Sequence, residues 1–206
     1  DETLHLLREP HRVVTAADYV ERVAVHWPAS PEARALTESP AIRRAHVLVD
    51  RDLSRPGAEL SPAPGHISVI VVPDAPVGAR RPAPSPAVVT ALAAFLEPRR
   101  LLTTQNHVVA ASYVKIGVKV RVYLRDDAQI ELTRARVQAV LRDTFDPLRG
   151  GPGGEGWPLG RNVYSSELLA ALDAVTGVDF VEGLDLVTDD PARRIVDGPE
   201  LVGVRL

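Results

Sequence analysis

The sequence contains no cysteine and no methionine. The first absence removes disulfides, thiolate nucleophiles and thiolate zinc sites together, and fits a reducing compartment. The second goes with a start at Asp1-Glu2-Thr3 and reads as a processed chain or a fragment, with 1–10 as the tail end of a preceding segment or a linker. Aromatic residues make up only 4 % of the 206 residues, so Val, Leu, Ile and Ala must build the core. A basic excess is also missing. The net charge is −3, which argues against a dedicated nucleic-acid binder. No run approaches the roughly 18 apolar residues of a membrane span, and no signal peptide is visible.

What is present is a globular composition, 45 % hydrophobic and 25 % charged, with chain enough for one large domain or two small ones. Thr15-Ala16-Ala17-Asp18 has the form of a helix start, a Thr cap with an acid three positions on, and Tyr19, Val23 and Trp27 continue it as one apolar stripe until Pro28. Strands are expected over 42–49 and over 67–72, the latter apolar on both faces and therefore central. Ser85-Pro86 opens a second helix with Val88, Leu92, Phe95 and Leu96 inward, and 103–111 returns as a strand. These elements give a first α-β-β-α-β module, 11–112.

The second module, 113–206, opens on strict alternation from Val114 to Leu124, a strand with one buried and one wet face. A helix is expected over 132–145, burying Val137, Val140, Leu141 and Phe145. The segment 150–156 is rich in glycine and reads as an exposed loop. Ser165 or Ser166 should cap a further helix, with Leu168, Leu172 and Val175 inward and Gly177 as its C′ residue. Strands over 178–186 and 201–206 close the chain. The fold class is α+β: two small modules, each a mixed or antiparallel sheet with helices mainly on one face.

Chemistry is hard to find in these residues. The Gly-rich loop lacks the Lys of a phosphate loop, and Pro152 removes a backbone donor. His5, His11, His26, His46, His66 and His107 show no zinc spacing, although they could converge in space. No serine sits in a nucleophile elbow. Asp185, Asp189 and Asp190 lack the pattern of a calcium loop. Expected catalytic, cofactor-binding and metal residues are therefore none, and the chain reads as a non-enzyme without cofactor. The candidate contacts are Trp157, Pro158, Arg161 and Tyr164 around the Gly-rich loop, and Lys115, Lys119, Arg121 and Arg125 on the wet face of the long strand. Trp157 would anchor its loop either in its own module or against a neighbouring subunit. The basic strand face would be a solvated surface or a patch for an acidic partner, rather than a phosphate track.

Several segments, in order, resemble the baseplate J-like family, the wedge proteins of contractile phage tails and extracellular contractile injection systems. They are Val14-Thr15-Ala16-Ala17-Asp18-Tyr19, Leu96-Glu97-Pro98-Arg99-Arg100-Leu101-Leu102-Thr103-Thr104 and Tyr113-Val114-Lys115-Ile116. The most specific runs from Phe145-Asp146-Pro147-Leu148-Arg149-Gly150-Gly151-Pro152 to Gly156-Trp157-Pro158-Leu159-Gly160-Arg161, with Val163-Tyr164-Ser165-Ser166-Glu167 and Gly177-Val178-Asp179-Phe180-Val181 behind it. The resemblance implies a structural wedge subunit, the C-terminal portion of a longer protein, with no catalytic residues to carry over. Its implied partners are other wedge subunits, including a paralogous J-like chain, and hub and sheath-proximal proteins of a six-fold symmetric assembly, with no nucleic acid and no membrane span. The implied location is a cytoplasmic assembly, the baseplate of a phage-tail-like particle. A different class of reading is a small-molecule-binding regulatory α/β module of a larger protein. A third is a hydrolase whose catalytic part lies in the missing flanks.

Overall fold

The computed structural model describes residues 12–55 and 61–188, with the backbone of two short strands, Ile195–Val196 and Glu200–Leu201. The segment 1–10, His11, Asp189, Asp190 and the expected strand past Leu201 lie outside the described residues. The chain divides into two compact units, Asp1–Ala111 and Ser112–Leu206.

In the first unit, helix α1 (Ala16–Glu21) starts at a reciprocal cap. Thr15 Oγ1 accepts from Asp18 N, and the Asp18 carboxylate accepts from the backbone N–H groups of Thr15 (2.7 Å) and Val14 (3.0 Å). The helix runs on as a π turn, Arg22–His26, and a 3-10 turn, Trp27–Ala29, where Pro28 stops it. Tyr19, Val23 and Trp27 are all buried, as their spacing predicts. A four-residue helix, α2 (Pro31–Arg34), follows under a Ser30 cap. At four residues it is too short to carry a periodicity, and no apolar spacing announces it.

Strand β1 (Ile42–Val49) pairs antiparallel with β2 (His66–Pro73), and β2 pairs parallel with β3 (Gln105–Ala110), so β2 is central. A parallel pair needs a crossover. Helix α3 (Pro86–Leu96) supplies it, capped by Ser85 with Pro86 at its first position. Ile67, Val69 and Val71 pack with Tyr19, Trp27, Val88, Leu92, Phe95 and Leu96 in one core, while Ser68, Ile70 and Val72 are buried as well. Burying each large side chain of this kind contributes about 1.5–3 kcal/mol. Strand β3 starts two residues later than expected, because the Arg100 guanidinium holds the carbonyls of Leu101, Leu102 and Thr104 in a turn.

In the second unit, β4 (Ile116–Leu124) pairs antiparallel with β6 (Val178–Thr188). Helix α4 (Ile130–Thr144) follows β4, but only Thr133 of it is buried; Val137, Val140 and Leu141 are half-buried, as is Phe145 just beyond it. A two-stranded sheet is too narrow to cover a helical stripe, which is why the expected burial is only partial. Strand β5 (Val163–Tyr164) leads directly into α5 (Ser165–Asp173). Neither serine caps this helix: the N-cap is Tyr164, whose backbone pairs with Glu200 in a small sheet of β5, β8 (Glu200–Leu201) and β7 (Ile195–Val196). Ser165 is the first helical residue and is buried. Leu168, Leu172 and Val175 point inward as expected. Gly177 is not the C′ residue, since the helix ends at Asp173 with Ala174 as cap. It sits instead in the turn into β6 with φ +99, where a Cβ would stand 2.5 Å from Thr133 Oγ1. The architecture is α+β, with a mixed sheet in the first unit and antiparallel pairing in the second.

Candidate functional site

The Gly-rich loop is tied at its base rather than loose. Asp146 organises it, its carbonyl accepting from Gly150 N and Trp157 N, both at 3.0 Å, and its side chain from Leu148 N and Arg149 N, both at 2.8 Å. Gly151 N donates to Thr144 O and Gly156 N to Gly150 O, each at 2.9 Å. These bonds require glycine at the base: a Cβ on Gly150 would lie 2.3 Å from Asp143 O, and Gly151 has φ +74. Only 152–155 stand out in solvent.

Trp157 closes the loop within its own unit. Its half-buried ring packs tilted on Phe145, centroids 5.1 Å apart, beside the small core of Val163, Leu168 and Leu186. The Arg161 guanidinium lies 5.1 Å from the indole centroid and pairs with Glu167. Pro158 is half-buried and Tyr164 is exposed.

The wet face of β4 is charge-balanced by β6. Lys119 stands opposite Asp185, and Arg121 opposite Glu182 with an N···O distance of 2.9 Å. Arg125 donates to Val178 O, and Lys115 lies exposed just before the strand. Tyr123 donates its hydroxyl to Glu182 and stacks on Phe180 with centroids 4.3 Å apart. The Glu182 hydrogen bond and charge push the Tyr123 hydroxyl pKa up. This surface is therefore an alternation of cations and carboxylates around an exposed aromatic pair. Its cations at Lys119 and Arg121 are interrupted by carboxylates, unlike those of a continuous phosphate track. The other face of β4 borders α4 in an open groove of about 670 Å³, lined by Val118, Val120, Val122, Leu124, Val137 and Leu141 among others.

A third constellation is invisible in the linear sequence. Asp52, His66 and His107 converge in the first unit, with His66 Nδ1 and His107 Nε2 2.8 Å apart. The Asp52 carboxylate lies 3.8 Å from the first and 3.6 Å from the second. The ring planes are 4° apart with centroids at 5.1 Å; with so short an N···N contact, the rings meet edge to edge. Asp52 is buried, and the Ser54 hydroxyl foremost, with its backbone N–H and Arg55, holds its carboxyl pKa below the ordinary range. Only the parallel pairing of β2 and β3 brings the two histidines together, so no local motif could announce them.

No protein-family profile and no curated protein matches the chain. Among solved structures, it is similar to a chain of the six-fold symmetrised cryo-EM structure of the anti-feeding prophage baseplate, with TM-score 0.56 and 22 % identity. The alignment covers 92 % of this chain and 38 % of that one. The likeness is one of fold, and the chain spans well under half the length of the protein it matches. No helix among the described residues is long and apolar enough to cross a membrane.

Proposed function

We propose that the chain is a structural part of the baseplate of a contractile injection machine, a wedge subunit of the J-like kind that works by holding neighbouring subunits and carries out no reaction itself. The observation that supports this most is the fold correspondence with a baseplate chain over 92 % of the present sequence. The ordered J-like segments support it from a separate direction. In this reading the partners are other wedge subunits, a paralogous chain and hub or sheath-proximal proteins around a six-fold axis. The contacts to test first are the 152–155 tip with Pro158 and Tyr164, and the β4 face with Lys115, Lys119, Arg121 and Arg125.

The test is electron microscopy of material that co-purifies with the full-length protein. Particles with a ring- or wedge-shaped end that label with an antibody to this chain are the expected result. A monomer absent from any particle would sink the reading. The groove beside α4 gives the alternative, a small-molecule module, a definite place, because its volume falls in the range of ligand pockets. A saturable ligand lost on Val120→Lys would favour that alternative.

A further inference from the structure

We propose that Asp52, His66 and His107 form a binding site for one divalent transition-metal ion of the zinc class, fastening the segment after β1 to strands β2 and β3. The donor set comes first. Two imidazole nitrogens and one carboxylate are borderline ligands that suit zinc, cobalt or nickel, whereas calcium and magnesium favour all-oxygen sites. The separations come next: the two ring nitrogens lie 2.8 Å apart, Asp52 Oδ2 lies 3.8 Å from His66 Nδ1 and Oδ1 3.6 Å from His107 Nε2, and one donor atom from each residue falls within 4.8 Å of the others, close to the edge of roughly 3.3 Å that a tetrahedron has when its bonds are about 2.0–2.1 Å. Three protein ligands leave a fourth position for water, and the side chains of His66 and His107, 21 % and 18 % exposed, leave an opening for it.

The framework around the cluster is held by bonds that do not involve the ligand atoms. Ser68 Oγ donates to Arg51 O and accepts from Leu53 N, so the backbone on both sides of Asp52 is stitched to β2. Asp50 Oδ1 accepts from Gly65 N, the residue before His66. His107 is fixed by its register opposite Ser68 in the parallel pair. Such preorganisation is what a metal site needs from its surroundings.

The same residues also satisfy one another without an ion. The rings share one N–H···N bond, and Asp52 accepts from Ser54 N and Oγ on Oδ1 and pairs with Arg55 Nε on Oδ2. Metal entry changes this in two ways. The shared hydrogen moves to the far nitrogen of its own ring, a tautomer change that leaves both imidazoles neutral with a lone pair on the metal. The Arg55 side chain, 76 % exposed, leaves Oδ2 for solvent. The rings then need to part by only about half an ångström to reach the tetrahedral edge.

The experiment titrates untagged, chelator-treated full chain with ZnCl2 by calorimetry, with Co2+ as an optical probe. One equivalent is expected, with visible Co2+ bands of a low-coordinate nitrogen and oxygen site and a raised unfolding temperature. Asp52→Asn should weaken binding at least tenfold, and the double variant His66→Gln/His107→Gln should abolish it. His26→Gln, beside Trp27 at the Pro40 end of β1 and so toward the end of β2 opposite His66, should bind as the parent does. No saturable binding near one equivalent, or equal binding by the folded double variant, overturns the proposal. Should that variant fail to fold, ring 15N NMR of the unaltered chain decides: unchanged His66 and His107 signals at saturating Zn2+ overturn it equally.

Discussion

Single residues carry the sharpest consequences, and the glycines at 150 and 153 make a matched pair. A methyl group on Gly150 meets backbone oxygen at 2.3 Å, while one on Gly153 meets nothing within 4 Å. Gly150→Ala is expected to cost several kcal/mol, of the order of a serious overpacking or strain defect, and Gly153→Ala to fall within about 0.5 kcal/mol of the parent. Urea denaturation of the two variants checks both. Trp157→Ala should cost about 2 kcal/mol, below the range for fully buried tryptophans because this ring is only half-buried. Asp18 gives a pH dependence. The N–H groups of Thr15 and Val14 lower its pKa from 3.8, so its contribution is complete above the unfolded value and is lost as pH falls through the lower folded one. Thr15→Ala removes the hydroxyl half of that cap, and a loss of about 1 kcal/mol at neutral pH is expected. A thermal-melt series from pH 6 to pH 2 should also show a smaller acid loss for Asp18→Asn than for the parent. At this scale the sequence was readable wherever chemistry is local: the Thr15–Asp18 cap and the Ser85-Pro86 start follow from residues within three positions. The Asp52–His66–His107 convergence was not, since 41 residues separate the two histidines and only strand pairing joins them.

Among the elements, periodicity told the truth about direction and less about depth. The alternation in β4 placed Val118, Val120 and Val122 on one face, yet they remain half-buried because a two-stranded sheet has little width to share with α4. The serines that open α5 misled because the backbone of Tyr164, the actual cap, is committed to a strand, which no side-chain pattern records. The β4–β6 face follows cross-strand rules. Lys119→Glu sets like charges opposite each other at Asp185 and is expected to cost up to about 1 kcal/mol, with Asp185→Lys in the same chain restoring it. Arg121 and Glu182 are well exposed, so a double-mutant cycle on that pair should return less than about 1 kcal/mol and fall further in high salt.

At the level of the whole molecule, the two units differ in how they are built. The first has a core from Val13 to Val108 with both faces of β2 buried; the second relies on a few leucines and valines and a half-covered sheet. Calorimetry on the full chain should therefore show the second unit melting at the lower temperature. A binding neighbour should raise that transition selectively, by linkage. A single transition unaffected by any partner would contradict the differential-stability argument. The pairing of β4 with β6 has one more consequence, for synthesis. Arg121 and Glu182 are 61 residues apart, so β4 leaves the ribosome with its hydrogen-bonding edge open until most of the second unit has followed. The described strands of the first unit are all made by Ala110, and they can pair while that wait lasts. Synthesis of this stretch is thus vectorial, with a finished first unit and, for some seconds, a sticky ribbon in search of its mate.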